Sequence, residues 1–267
     1  MHRSFIPRRA LARAACLGSA LLLLAGAVQA AEVKVVSSGG FAAAYRVLAP
    51  EFERQTGHTL VANWGPSMGE TADAVPQRLA RGEPIDVVIM VGYALGKLVE
   101  QGKVAAADRM DLARSAIGVV VKQGAPLPDV GTVDGLRRAL LAAKSIAYSD
   151  SASGVYIQNE MFKKMGIEDQ VRGKARMIPA EPVGGVVARG DAEIGFQQIS
   201  ELKPIQGITL AGPLPGGVQQ ITVFSAGVLA ASREPEAARA LIRFLASPAA
   251  ARAIAESGME PMTGAAQ

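Results

Sequence analysis

Short apolar runs alternate with amphipathic stretches along most of the chain. Val33–Val36 is a β-branched apolar run of the kind buried on both faces of a sheet. Gly39-Gly40 breaks it. Phe41, Tyr45, Leu48 and Phe52 then recur at three- and four-residue spacing, which predicts a helix closed by Gly57. His58–Trp64 reads as a strand, Gly65-Pro66-Ser67-Met68-Gly69 as a turn, and 70–81 as a helix despite Pro76. Asp86–Val91 is a third strand, followed by a helix over Tyr93–Gln101 that Gly102 caps. The unit repeats from Ile117–Val121: helix to Ala143, strand Ser145–Tyr148, helix Val155–Met165, strand Ala175–Ile178, helix Val183–Arg189, strand Glu193–Gln197. Ile221–Ala230 is a longer apolar strand, and helices at Glu234–Leu245 and Pro248–Glu256 complete the pattern.

Repeated strand–helix units predict an α/β chain whose sheets are mostly parallel and flanked by helices. The length after residue 30 suits two smaller lobes better than one large sheet. The strands at 117–121 and 221–230 are the expected crossings. They divide the chain into a first lobe of residues 31–116 and 222–267 and a second of 117–221.

The charge changes its meaning once it is located. The chain of 267 residues has 28 Lys plus Arg against 24 Asp plus Glu, a formal net charge of +4. Arg3, Arg8, Arg9 and Arg13 lie in the first thirty residues, which hold no acid, so residues 31–267 are neutral overall. A basic start, an apolar run over Ala14–Val28 and the small-residue ending Val28-Gln29-Ala30 read as an export signal cleaved after Ala30. Arg8-Arg9 also fits a twin-arginine signal. A periplasmic protein is expected, with no membrane insertion after cleavage. Cys16 would leave with the signal, so thiol chemistry and cysteine metal sites are excluded from the mature chain. His58, after a predicted helix end, reads as a surface turn residue, which argues against a catalytic triad or a histidine metal cage. No GxGxxG or GxxxxGK[ST] pattern occurs at the turns, and there is no block of basic residues, so dinucleotides and nucleic acid are not expected partners. No cofactor or metal is expected.

Four predicted strand-to-helix turns share one character: Ser37-Ser38-Gly39-Gly40, Gly65–Gly69, Ser149-Asp150-Ser151-Ala152-Ser153-Gly154, and Pro182-Val183-Gly184-Gly185. Ligands of open α/β sheets sit beyond such strand ends. Helix N-termini offer unpaired N–H groups and partial positive charge, glycine permits close approach, and serine adds a hydroxyl. Each turn alone is ordinary capping. Four together, two per lobe, point at one small anion held between the lobes.

The order of VKVVSSGGF, PIDVVIMV with LVEQGKV, PAEPVGGVVARGDAEIGF and FLASPAAARAIAESGMEP resembles the molybdate-binding group of extracytoplasmic solute-binding proteins. That resemblance implies the type II periplasmic binding fold, an ABC-type permease as partner, and a monomer. It also implies a tetrahedral oxyanion held by serines, backbone N–H groups and a tyrosine. Ser67 falls on a ligating serine, with Met68 beside it, and Ser153 and Val183 fall on backbone donors. Gly40 stands at the other serine position, with Ser37, Ser38 and Gly39 alongside, and Gln198 stands at the tyrosine position. Ser151 belongs to the same loop as Ser153. Two hydroxyl donors are thereby lost, and Gly40 is expected to open space for a larger di- or tricarboxylate.

GPSMG, VGYAL, YSDSASGVY and GFQQISEL resemble an isomerase branch of this group, whose reaction shifts the allylic double bond of aconitate without a cofactor. Such chemistry needs a base and an acid. The candidates are Asp150, Tyr93, Tyr148, Tyr156 and Glu201. Each also has a structural role open to it: Asp150 as a cap, Tyr148 and Tyr156 as wall or core aromatics, Glu201 as a cap or surface pair. Arg46, Arg81 and Arg189 follow the turns on helices and are the available cations if they reach inward.

Overall fold

The structure is a computed structural model that describes residues 30–262, so the export signal lies outside the described residues. In chain order the elements are β1 (Glu32–Ser37), α1 (Gly39–Thr56), β2 (Thr59–Trp64), α2 (Val75–Ala80), β3 (Val87–Val91), α3 (Gly92–Glu100), β4 (Val104–Ser115), β5 (Ile117–Lys122), α4 (Val133–Ala142), β6 (Ile146–Ser149) and α5 (Ala152–Tyr156). A π-helical turn over Ile157–Met161 links α5 to α6 (Phe162–Lys164). Then come α7 (Glu168–Val171), β7 (Ala175–Ile178), α8 (Val183–Arg189), β8 (Ile194–Gln198), α9 (Ile199–Leu202), β9 (Ile208–Pro213), β10 (Thr222–Leu229), α10 (Pro235–Leu245), α11 (Ala251–Glu256) and β11 (Glu260–Pro261).

Two mixed sheets organise these elements, in the orders β11-β4-β10-β3-β1-β2 and β7-β6-β8-β5-β9. The βα units give parallel pairing at β2-β1-β3 and β7-β6-β8. The rest of each sheet is antiparallel, because β10 and β5 each enter as returning strands between neighbours of opposite direction. Only Ala116 separates β4 of the first sheet from β5 of the second, so one crossing is nearly a continuous strand. The return crossing is tied to it: the Gln219 side chain accepts from Ile117 N–H at 3.0 Å and donates to Ile117 C=O at 3.0 Å.

Burial follows position in the sheet. All five residues of β3 (VVIMV) are buried at the middle of the first sheet, whereas edge strand β2 is only half-buried. The apolar face of α1, with Phe41, Tyr45, Leu48 and Phe52, packs on this sheet, and Gly57 ends the helix in the left-handed region at φ 74°. Two expectations need correction, and two strands have no prediction. The stretch 70–74 is irregular, and helix starts only at Val75, with Pro76 in its first turn where a missing N–H costs nothing. β4 and β9 carry no clean apolar period, since each lies toward a sheet edge with much of its length half-exposed. His58 is buried: its ring packs on Phe52 at 6.0 Å, and its Nδ1 accepts from Ala31 N–H.

Candidate functional site

The four Ser/Gly turns converge on one cavity of about 280 Å³, lined among others by Ser38, Gly39, Gly40, Ser67, Asp150, Ser151, Pro182, Gln198 and Glu201. It draws residues from both sheets and is of the size that suits a small ligand. The N-terminus of α1, eighteen residues long, opens on it through Gly39 and Gly40. The first N–H groups of a helix have no partner within the helix.

Several hydroxyls there are free to bond a ligand. Ser38 Oγ and Thr71 Oγ1 are buried without a hydrogen-bond partner among the described residues, and both residues line the cavity. Ser67 Oγ accepts from Val91 N–H at 2.9 Å, which fixes the oxygen and leaves its proton to donate. Ser151 Oγ lies 2.8 Å from Ser149 Oγ, which in turn lies 3.0 Å from Ser153 Oγ, so the third turn carries a chain of three hydroxyls.

The carboxyls are the surprise. Asp73, Asp150, Glu181 and Glu201 all line the cavity, and among the described residues no Lys or Arg does. Arg46, Arg81 and Arg189 do not reach in. Arg46 lies over the Trp64 ring, Arg81 donates to Ala72 C=O, and Arg189 pairs with Glu181 and Asp191. Arg78 donates to Asp73 C=O and Trp64 C=O. These arginines brace the walls from outside.

Glu201 is the most perturbed acid. It sits in the first turn of α9 behind β8, and its carboxylate lies so close to Gly39 that a side chain at 39 would collide with it. Burial pushes its carboxyl from the ordinary 4.5 up to about 7. The Asp150 carboxylate adds to the rise, while the Gln197 amide and Gln198 N–H oppose it. Gln198, three residues back, is the N-cap of α9, so its N–H lies toward the Glu201 carboxyl as in a capping box. The neighbouring Ser200 Oγ donates to Gly40 C=O at 2.7 Å, so α9 from behind the second sheet is tied to the start of α1. Asp150 Oδ2 accepts from Ala180 N–H at 3.2 Å, and Ala180 is held at φ 59°. A non-glycine residue in that region is strained, and such strain gathers at functional sites.

Other candidates fall elsewhere. Ser37 is fully buried and donates to Ser38 C=O. Met68 is off the cavity, its sulfur accepting from Tyr93 Oη at 3.5 Å. Ser153 is buried behind the cavity wall, and the Val183 N–H is taken by Gln197 Oε1 at 2.9 Å. Tyr156 donates to Val218 C=O and Tyr148 to Gln158 Oε1, both within the core beside the second sheet. Burial raises the Tyr148 and Tyr93 phenols, which argues against a phenolate base at neutral pH. Gln198 lines the cavity, with its Nε2 on Thr222 Oγ1 and its Oε1 unpartnered. The space expected beside Gly40 is filled by the Phe224 ring, which a side chain at 40 would strike. Sequence reasoning missed Phe224 and Thr71; the former reads only as part of an apolar strand, the latter as part of a helix that starts only at Val75.

The chain matches the model of the bacterial extracellular solute-binding protein family over residues 33–260. It is 50% identical over 247 residues to an aconitate isomerase of a Pseudomonas species, covering 91% of this chain and 94% of that protein. It is 26% identical over 242 residues to the molybdate-binding protein of Azotobacter vinelandii, covering 88% and 92%. The solved structure of the periplasmic molybdate-binding protein of that bacterium superposes with a TM-score of 0.69 at 22% identity, over 85% of this chain and 98% of the other. That likeness carries the two-lobed fold. The chain belongs to the bacterial extracellular solute-binding protein family, and so acts outside the cytoplasm.

Proposed function

We propose that the protein is a receptor that closes its lobes on a small carboxylate-bearing anion in the cavity at the four turns. The convergence of α1's N-terminus with the unpartnered hydroxyls of Ser38 and Thr71 carries this reading. Closure follows from ligand contacts made to both lobes at once, across crossings at Ala116 and before Thr222. The ligand would be a di- or tricarboxylate rather than a tetrahedral oxyanion. Val183 N–H is already bonded, Gln198 is turned onto Thr222, and a protonated Glu201 offers a donor to a carboxylate. Export to the periplasm with cleavage after Ala30, and delivery to an ABC-type permease, complete the proposal. Calorimetric titration with trans-aconitate, citrate, malonate, molybdate and sulfate tests it. Failure to bind any of them overturns the reading.

A second reading is favoured by Glu201 and by the 50% identical isomerase: the bound tricarboxylate is converted in the same cavity. In its ionised form Glu201 takes a proton from the methylene carbon of aconitate. The double bond shifts along the three-carbon unit, and a proton returns to the former vinyl carbon from Glu201 or from Asp150. A group titrating near 7 is matched to both halves of that exchange. The hydroxyls of Ser38, Ser67 and Thr71 face the charge that develops on the substrate carboxylate. Proton NMR of trans-aconitate with the purified protein separates the readings. Formation of the cis isomer at a rate above buffer, abolished in Glu201→Gln, establishes catalysis. Binding without conversion leaves the receptor alone.

A further inference from the structure

A second cavity of about 340 Å³ adjoins the first and shares Ala152 with it. Gly92, Tyr93, Arg109, Asp111, Gln220 and Thr222 are among its walls. The partition runs through residue pairs that face opposite ways: Val91 to the first cavity and Gly92 to the second, Phe224 to the first and Val223 to the second. The Gln198–Thr222 hydrogen bond spans it.

This second cavity holds what the first lacks, a cation. Arg109 reaches it from β4 along one face of α3. A Cβ at Gly92 would lie 3.3 Å from Nη2, and one at Gly96 would make an ordinary contact at 3.5 Å with Nη1. The guanidinium thus lies against α3 at two glycines four apart. Asp111 fixes the fork at one end, Nη2 to Oδ1 at 3.1 Å, and is itself held by Ser225 Oγ. Nε and Nη1 have no hydrogen-bond partner among the described residues. Tyr93, 56% exposed, stands beside it with its hydroxyl on nothing stronger than a thioether, and Ile221 is also exposed at 42%.

We propose that this cavity is a carboxylate subsite of the same cleft, with Arg109 as its anchor and Tyr93 as a second donor. It binds the far carboxylate of a tricarboxylate whose remaining groups occupy the first cavity, and so selects polycarboxylates over compact anions. The proposal rests on the carboxylate-receptor reading above. A guanidinium with N–H groups to spare holds a carboxylate by charge-assisted hydrogen bonds. The first cavity, rich in carboxyls, has no cation to offer a third negative group.

The test is calorimetry with citrate, which has no allylic double bond to react, and with malonate as the compact anion, on wild type, Arg109→Gln and Tyr93→Phe. Arg109→Gln should weaken citrate roughly 10- to 100-fold, as loss of a charge-assisted pair does, and leave malonate within twofold. Tyr93→Phe, which removes one exposed hydroxyl and cannot disturb the fold, should weaken citrate by a smaller factor in the same direction. Citrate affinity unchanged in both variants, with wild type binding citrate, overturns the subsite and leaves the receptor reading standing. Equal loss of citrate and malonate in Arg109→Gln, with no effect of Tyr93→Phe, assigns Arg109 a structural role and also overturns it. Wild type binding neither anion overturns both.

Discussion

Replacing Glu201 by Gln should make the protein more stable at alkaline pH and leave it unchanged in acid. The folded chain holds the Glu201 proton with a value of about 7, against the ordinary 4.5. Between those values the folded state binds more protons than the unfolded chain, so stability falls as pH rises. The contribution is fully present below about 4.5 and is lost as pH rises through about 7. At 1.36 kcal/mol per pH unit, the ionised side chain costs about 3 kcal/mol above pH 8, a ceiling that its partial exposure to the cavity lowers to about 2. Gln has the size and shape of a protonated Glu and serves equally in the first turn of α9. The substitution therefore isolates the charge. Urea unfolding from pH 4.5 to 8.5 should give coincident stabilities at the acid end and a gap of about 2 kcal/mol in favour of the variant at the alkaline end. A gap that does not change with pH would show that Glu201 ionises as it does in water, and the reasoning would fail. The same proton should appear in binding. An anion entering beside Glu201 raises its value further, so calorimetry at pH 8 in buffers of different ionisation enthalpy should detect proton uptake by wild type and none by the variant.

Three further outcomes are expected. Ser38→Ala should leave the melting temperature of the free protein unchanged or raised, because it removes a buried hydroxyl with no partner, yet weaken citrate binding about tenfold by calorimetry. Gly40→Ala should cost roughly 1–3 kcal/mol in urea unfolding because its methyl strikes the Phe224 ring, and the double variant with Phe224→Leu should be less destabilised than the two changes summed. Asp86, buried, accepts from Lys34 N–H, Ser232 Oγ and Arg233 N–H. Burial opposes its charge, but these donors prevail and hold its carboxyl below the ordinary range. Its contribution is present above the unfolded value near 3.9 and lost as pH falls through the folded one. Asp86→Asn should therefore cost roughly 2–3 kcal/mol at pH 7 and progressively less on acidification, read from chemical denaturation.

The sequence is most legible where burial is complete. β1, β3 and β10 are apolar runs because both faces of the sheet are covered there, and the period of α1 survives because one face meets that sheet. β4 escapes such reading: it carries Asp108, Arg109, Asp111 and Arg114 on a twelve-residue strand with bulged pairing to β10. At the site, the positions of the four turns follow from strand-to-helix order, so their meeting is readable in advance. Which atoms face the cavity is not. Ser37 and Ser38 are indistinguishable as letters, yet one bonds inward and the other faces the ligand space. Gly40 looks like room, but a residue 184 positions later supplies the ring that fills it. Long-range pairing of this sort leaves no local signal.

The electrostatics of the cleft decide what kind of anion fits it. Among the described residues four carboxyls and no cation line the first cavity, and residues 31–267 carry no net charge, so neither local nor long-range attraction favours a bare dianion. Three features reverse the local balance. The N-terminus of α1 supplies about half a positive charge at Gly39 and Gly40. Arg189 offsets Glu181 at 3.0 Å. Glu201, titrating near neutrality, becomes a neutral donor as soon as a negative group approaches. A tetrahedral oxyanion gains little from a proton held by the protein, because its own charge is spread over oxygens that each need a donor. A carboxylate gains more, since it can share that proton with Glu201 in a short hydrogen bond while Ser38 and Thr71 bond its other oxygen. The same shared proton is the one that allylic isomerisation has to move. On the proposed readings, carboxylate selectivity and catalysis would both rest on Glu201, and Glu201→Gln is the substitution that should alter both.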